Sequence, residues 1–265
     1  MFPPLNPPIR QWTGYRIWII GASSGIGAAV AKQLADKGAR LAISGRRENE
    51  LRQLARTINN TMVMPLDITD FQAVQKTATD LEQAWGGIDV VLVAAGIFQD
   101  VAVSHFSPAG LPAVKQTLNI HLTGFYHVLA AVLPGLIKQQ SGGLAVVSSV
   151  AGYNGLPHAM SYAPSKAALN NLCEGLYLEL HPLGLAIYRI CPGFVDTPMT
   201  AGSHFPMPAL ITANQAAKTI VAGLERGDFE IHFPKHFTRF LKILQWLPRR
   251  LYFLLMKTAT RRLDS

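Results

Sequence analysis

Tyr162 and Lys166 stand four residues apart in SYAPSKAAL, residues 161–169. In a helix that spacing puts a phenol and an ammonium on one face, one turn apart. Two such groups side by side can hold and pass a proton, although an isolated YxxxK is more often a surface tyrosine lying along a lysine stem. Other stretches weigh against the plain reading. Gly21 to Gly27, GASSGIG, follows an apolar run directly and opens a helical pattern. Glycines there let the backbone turn tightly and approach a pyrophosphate, while the helix N-terminus offers free N–H groups and a favourable dipole. Ser149 supplies a hydroxyl thirteen residues before Tyr162.

These residues must be positioned by larger elements. Apolar, β-rich runs at 15–20, 40–44, 61–65, 88–94, 143–149, 185–190 and 229–233 alternate with helical patterns near 25–37, 48–58, 70–84, 110–139, 161–181 and 213–226. Near-continuous apolar strands between helices predict an α/β fold, a doubly wound parallel sheet of about seven strands covered on both faces. Its ligand crevice should open at the carboxyl ends of the strands. The 265 residues suffice for one such domain, assigned to 1–234, with a basic, amphipathic helical extension over 235–265. We find no internal repeat, linker or metal-ligand cluster.

Gly21, Gly25 and Gly27 form GxxxGxG rather than the commoner GxGxxG. With Ser149, Tyr162 and Lys166, Asp67 in PLDITD, Ala95–Gly96, and the Pro192-Gly193-Phe194-Val195-Asp196-Thr197 run, the chain resembles the short-chain dehydrogenase/reductase family over about residues 14 to 233. The resemblance implies hydride transfer between a nicotinamide cofactor and a carbonyl or secondary alcohol. Tyr162 would be the general acid or base, Lys166 would lower the phenol's pKa and bind the nicotinamide ribose, and Ser149 would hold the substrate oxygen. If the strand persists, its neighbour Ser148 faces the other way. The cofactor would contact Gly21, Ser23, Ser24, Gly25, Ile26 and Gly27 at the glycine loop. Further along the chain it would meet Asp67, Ile68, Ala94, Ala95 and Gly96, then Tyr162 and Lys166, then Pro192, Gly193, Val195 and Thr197. Relatives that prefer NAD carry an acid after the second strand. Here that slot is Gly45, followed by Arg46 and Arg47, whose guanidinium groups match a phosphate, so NADP(H) is favoured with NAD(H) as the alternative.

Two departures stand out. The family's threonine before the first glycine and its Asn-Asn-Ala-Gly run become Ile20 and Val93-Ala94-Ala95-Gly96. Both ends of one hydrogen bond turn apolar together, a nearly neutral exchange that leaves cofactor binding intact. The family's fourth catalytic residue, an asparagine three before Gly124, becomes His121. Asn119 lies about 200° away around a regular helix. His121 either keeps only a backbone role, joins the proton relay through its imidazole, or is a satisfied core histidine.

The net charge of +8 sits in the tail, which holds eight of the 24 basic residues and, beyond Glu230, one acid, Asp264. Residues 235–247 set Phe237, Phe240, Leu241, Ile243, Leu244 and Leu247 against Lys235, Thr238, Arg239, Lys242 and Gln245. Two expectations follow: peripheral membrane contact through 235–262, or an apolar face packed on protein. Nucleic acid is not expected, because it would use the charge but little of the apolar surface. Only two cysteines, no signal-peptide core and no uninterrupted apolar run near 20 residues predict a cytoplasmic protein. Met199, Phe205, Met207 and Leu210 after Thr197 suit a lipophilic carbonyl or alcohol, and the helices at 110–139 and 161–181 suit a homodimer or homotetramer. Competing functions are a catalytically silent NADP(H)-binding sensor or scaffold, and a sugar-nucleotide epimerase-like enzyme.

Overall fold

Alternate residues of β1 (Arg16–Ile20) enter opposite apolar layers: Ile17 and Ile19 one, Trp18 and Ile20 the other, all 1% exposed or less. In this computed structural model, residues 3–101, 103, 106–201 and 207–260 are described, residues 259 and 260 by backbone alone. Phe205, Arg261, Arg262 and Asp264 lie outside the described residues.

β2 (Arg40–Ser44), β3 (Thr61–Val63), β4 (Val90–Val93), β5 (Gly143–Val147), β6 (Ala186–Pro192) and β9 (Glu230–Phe233) join β1 in a seven-stranded sheet of order β3-β2-β1-β4-β5-β6-β9. Every pairing is parallel. The short β7 (Val195–Asp196) and β8 (Ile211–Thr212) pair apart from it. Helices α1 (Gly25–Asp36), α2 (Glu48–Ala55) and α7 (Ala213–Arg226) cover the face that receives Ile17 and Ile19. The other face carries α3 (Phe71–Trp85), α4 (Leu111–Leu118), α5 (Gly124–Gln139) and α6 (Tyr162–Leu180). This is the predicted doubly wound sheet. Strand order reverses between β1 and β4, so the chain leaves both there and opens a crevice at their carboxyl ends.

Two predicted elements are interrupted. The strand expected over 143–149 stops at Val147, because Ser149 turns to cap a 3₁₀ turn at Val150–Gly152, accepting the Ala151 N–H at 3.0 Å. The helix expected over 110–139 is broken by a π turn, Asn119–Thr123, between α4 and α5. Such wide turns interrupt the regular i→i−4 ladder and recur at functional sites. The helical run Pro108–Gln139 has the length and hydropathy of a bilayer-crossing helix, which counting uninterrupted apolar residues misses. Its apolarity has a local use: Phe125, Val128, Val132 and Leu136 are buried against the sheet.

The tail forms α8 (Lys235–Trp246) and α9 (Arg249–Thr260). Its inward face differs from the predicted one. Thr238, placed on the polar side by spacing, is fully buried and bonds His232 Nδ1 at 2.6 Å. Lys242 pairs with Glu230, and Gln245 donates to the Tyr153 carbonyl at 2.8 Å. Phe240 and Ile243, on the apolar side expected either to meet a membrane or to pack on protein, are exposed, whereas Leu244 of that side is buried. The cause is Glu230, whose side chain is only 14% exposed. Arg189 already lies 3.4 Å from that carboxylate, Lys242 adds a second cation, and turning Lys242 inward turns the opposite face out.

Candidate active site

β1 ends at Gly21, whose φ of +94° and position allow no side chain: a Cβ would lie 2.4 Å from Ala95 N. A Cβ on Gly27 would lie 2.3 Å from Gly21 O. The loop is thus pulled tight between β4 and α1, which starts at Gly25 and presents first-turn N–H groups with no intrahelical partner. The predicted apolar exchange sits directly behind: Ile20 is buried opposite Val93, and its carbonyl accepts the Ala94 N–H at 2.7 Å.

Arg47 spans the loop mouth, donating to Ser23 Oγ at 3.0 Å and Ser24 Oγ at 2.6 Å. Arg46 lies 4.0 Å from Asp67 Oδ2, and Asp67 itself accepts the Thr69 N–H at 2.9 Å. A cluster of two guanidinium groups, two hydroxyls and unpaired backbone N–H groups is suited to phosphate oxygens.

On the opposite wall, α6 brings Tyr162 and Lys166 together. Lys166 is 4% exposed, donates to the Val147 carbonyl at 3.1 Å, and has its ammonium 5.5 Å from the Tyr162 ring centroid. Ser149 stands on the Tyr162 side of the cleft and acts to lower the phenol's pKa. Ser148 donates instead to the Lys166 carbonyl at 3.1 Å, tethering the helix to the end of β5. Both serines line the cleft; what separates them is the bond of Ser148 to the helix backbone, since the strand alternation invoked for them ends at Val147.

The electrostatics differ from expectation. Burial raises the Tyr162 pKa, and Ser149 offsets this only in part. The Lys166 ammonium, 5.5 Å from the ring centroid, does not by itself offset this burial. Burial also pushes Lys166 itself down, to about 8. In this state the phenol is held protonated.

His121 is 2% exposed and lies behind the cleft rather than in its lining. Its Nε2 accepts the Ile97 N–H at 3.1 Å, so the proton sits on Nδ1, which donates to Ser165 Oγ at 2.7 Å. Ser165 in turn donates to the Tyr162 carbonyl at 2.7 Å. Burial, then the Lys166 charge, lowers the imidazole to about 2, so it stays neutral. Both ring nitrogens are thus occupied by fixed partners. Asn119 is exposed, and the π turn does not bring it to the cleft.

All other predicted site residues line one cleft of about 310 Å³ at the switch point, from the glycine loop through Ser149, Tyr162 and Lys166 to Thr197. Thr197 closes it from above, its Cγ2 about where it would touch a Cβ on Gly25, at 3.1 Å. Sequence reasoning did not assign Ile20, Leu66, Ile97, Ile120, Val147 or Thr200 to this lining. Ile97 directly follows Gly96, and Thr200 lies in the segment already placed over the site, so sequence adjacency was the available signal.

Comparison with known proteins agrees with this fold. The profile described as short chain dehydrogenase matches residues 16–205. An uncharacterized oxidoreductase of Myxococcus xanthus is 33% identical over 249 residues, covering 92% of this chain and 96% of its own. One from Staphylococcus epidermidis is 32% identical over 207 residues, covering 78% and 89%. A solved short chain dehydrogenase from Burkholderia cenocepacia in complex with NADP superposes with TM-score 0.81 at 23% identity, covering 93% of this chain and 98% of that one. An actinorhodin polyketide ketoreductase with NADPH gives TM-score 0.75 at 20% identity, covering 83% and 95%.

Proposed function

Because the chain belongs to the short-chain dehydrogenase family and is an oxidoreductase of that family, we propose that it interconverts a carbonyl and a secondary alcohol using NADP(H). The observation that carries this reading is the convergence of Ser149, Tyr162 and Lys166 with the glycine loop on one cleft. The tight turn at Gly21 and Gly27, the open first turn of α1 and the Ser23–Arg47 cluster fit a pyrophosphate. The nicotinamide, when bound, supplies or accepts the hydride.

The chain's own residues handle the substrate oxygen and its proton. Ser149 Oγ and the Tyr162 hydroxyl hold that oxygen between them, and Tyr162 donates its proton as the carbonyl is reduced. Burial keeps the phenol protonated, the form a general acid needs. Lys166, fixed by the Val147 carbonyl, sits where its ammonium can bind a ribose hydroxyl and stabilise negative charge developing on the phenol oxygen. His121 holds the backbone around this group without exchanging a proton.

Arg46 and Arg47, with Gly45 in place of an acid, support NADP(H) over NAD(H), and the two solved neighbours that carry NADP or NADPH agree with that choice. Met199 and Leu210, both exposed beyond Thr197, support a lipophilic substrate. Exposed Leu111, Tyr126, Ile137 and Leu178 on α4, α5 and α6 support a homodimer or homotetramer. Residues 1–234 form the catalytic domain, and the two buried free cysteines suit a cytoplasmic enzyme.

The test is a panel of ketones, aldehydes and secondary alcohols, with NADPH and NADH followed by absorbance. Turnover with at least one lipophilic carbonyl is expected, and Tyr162→Phe should lower it by about 10²–10⁴-fold while cofactor affinity changes little. Cofactor binding without turnover on any substrate would favour the silent sensor instead. Near-normal turnover by Tyr162→Phe would remove the proposed acid.

A further inference from the structure

The tail helices have one face that the domain explains and one that it does not. Inward, Lys242 meets Glu230, Gln245 meets the Tyr153 carbonyl, Arg249 meets Asn154 Oδ1 at 3.2 Å, and Tyr252 donates to the Gly155 carbonyl at 2.6 Å. These contacts fix the rotation of both helices. Outward, Phe240, Ile243 and Trp246 are 56%, 62% and 88% exposed on α8, and Phe253 and Leu254 are 58% and 63% exposed on α9.

Spacing places these side chains in two stripes. His236, Arg239, Phe240 and Ile243 recur at i, i+3, i+4 and i+7, with Trp246 three further on; Arg250, Phe253, Leu254 and Lys257 repeat the pattern on α9. Each stripe mixes large apolar groups with cations, and no Asp or Glu occurs between 231 and 263. Scattered exposed leucines are ordinary; two aromatic and basic stripes held outward by fixed inner contacts are not.

We infer that this outward face docks the enzyme on an anionic lipid surface. Apolar side chains of this size gain by entering the headgroup boundary, and arginine and lysine beside them gain from its negative potential. Each helix has 12 residues, too short to cross a bilayer, so the contact is peripheral. A nucleic acid would satisfy the cations and leave Ile243, Trp246 and Leu254 in water. A second copy of this chain would bring the same cations against each other. The inference does not depend on the reaction proposed above.

Trp246 provides its own probe. Trp12, Trp18 and Trp85 are at most 8% exposed, whereas Trp246 stands in solvent. The full-length protein is mixed with vesicles of neutral phosphatidylcholine, or with vesicles partly replaced by phosphatidylglycerol, and followed by flotation and tryptophan emission. Binding to the anionic vesicles with a blue shift of emission is expected, weakening at high salt. Trp246→Glu with Phe253→Glu, and separately Arg239→Glu with Arg250→Glu, should each weaken binding by about tenfold or more. Thermal midpoint and turnover should stay near those of the unmodified enzyme, since these side chains are exposed and line no part of the cleft. Absence of binding to either vesicle overturns the inference. So does a loss of oligomer mass in the Trp246→Glu, Phe253→Glu chain with vesicle binding unchanged, or binding to duplex DNA alone.

Discussion

His121 Nδ1 donates to Ser165 Oγ at 2.7 Å while its Nε2 accepts the Ile97 N–H at 3.1 Å, so one buried ring joins the helix of Tyr162 and Lys166 to the loop after β4. Its edge also meets the Tyr162 ring, centroids 5.6 Å apart at 75°. A position where the family places a polar catalytic side chain has thus become a clamp between the cleft's two walls. His121→Ala would leave the Ile97 N–H unpaired and cost about 1–3 kcal/mol, read by urea denaturation. The pH–rate profile around neutrality should not move, because the imidazole is neutral there in the folded protein. A displaced limb in that profile would return the ring to the proton relay.

The cofactor assignment predicts opposite responses to the two nicotinamides. Arg46→Asp should weaken NADPH by about 10–100-fold, the worth of a charge-assisted phosphate contact, and leave NADH unchanged or improved. Arg47→Asp should do the same and also weaken NADH, because Arg47 holds Ser23 and Ser24 of the glycine loop. Dissociation constants by fluorescence titration distinguish the two positions.

Lys166 sets an alkaline limit. Its folded pKa, lowered by burial to about 8, lies below the ordinary lysine value, so the ammonium is lost as pH rises through about 8. The kcat/KM for the cofactor reports the free enzyme, and should fall above that pH with a slope near one decade per unit. Burial opposes the charged form, so folding is penalised below about 8, and stability rises between there and the unfolded value.

Glu230 makes acid stability depend on the tail. Burial would raise its pKa, but the Lys242 ammonium, the Tyr153 hydroxyl and Arg189 together outweigh burial and lower it. The sign is that of a depressed carboxyl: its stabilising share is present above the unfolded value and is lost as pH falls through the folded one. Lys242→Met should destabilise by about 2 kcal/mol at neutral pH, less than for a fully buried pair because Lys242 keeps some solvent contact. It should also flatten the acid limb of stability against pH. A melting series from neutral to acid pH measures both.

The fold and most of the site were readable from local order. Strand and helix periodicity placed the seven strands, and the ordered motifs from Gly21 to Thr197 all reached one cleft. Those motifs sit at the carboxyl ends of strands, where a doubly wound sheet gathers its loops whatever the remaining sequence does. His121 resisted reading because its partners lie 24 and 44 residues away, and its three candidate roles differ only in what its nitrogens touch. The phenol's pKa resisted too: spacing put Lys166 near Tyr162, but depth of burial outweighed that proximity.

The tail separates the two kinds of information most clearly. Its composition alone determined that it is basic, amphipathic and helical, since charge and a 3.6-residue period are properties of the chain. Which side faces the protein was decided only in the folded molecule. Spacing put Phe240 and Ile243 on one apolar side and left open whether that side meets a membrane or packs on protein. The folded domain presents Glu230 at that contact, where Lys242 adds a second cation to Arg189 beside a carboxylate only 14% exposed. Lys242 therefore turns in, and the aromatic and basic stripe turns out.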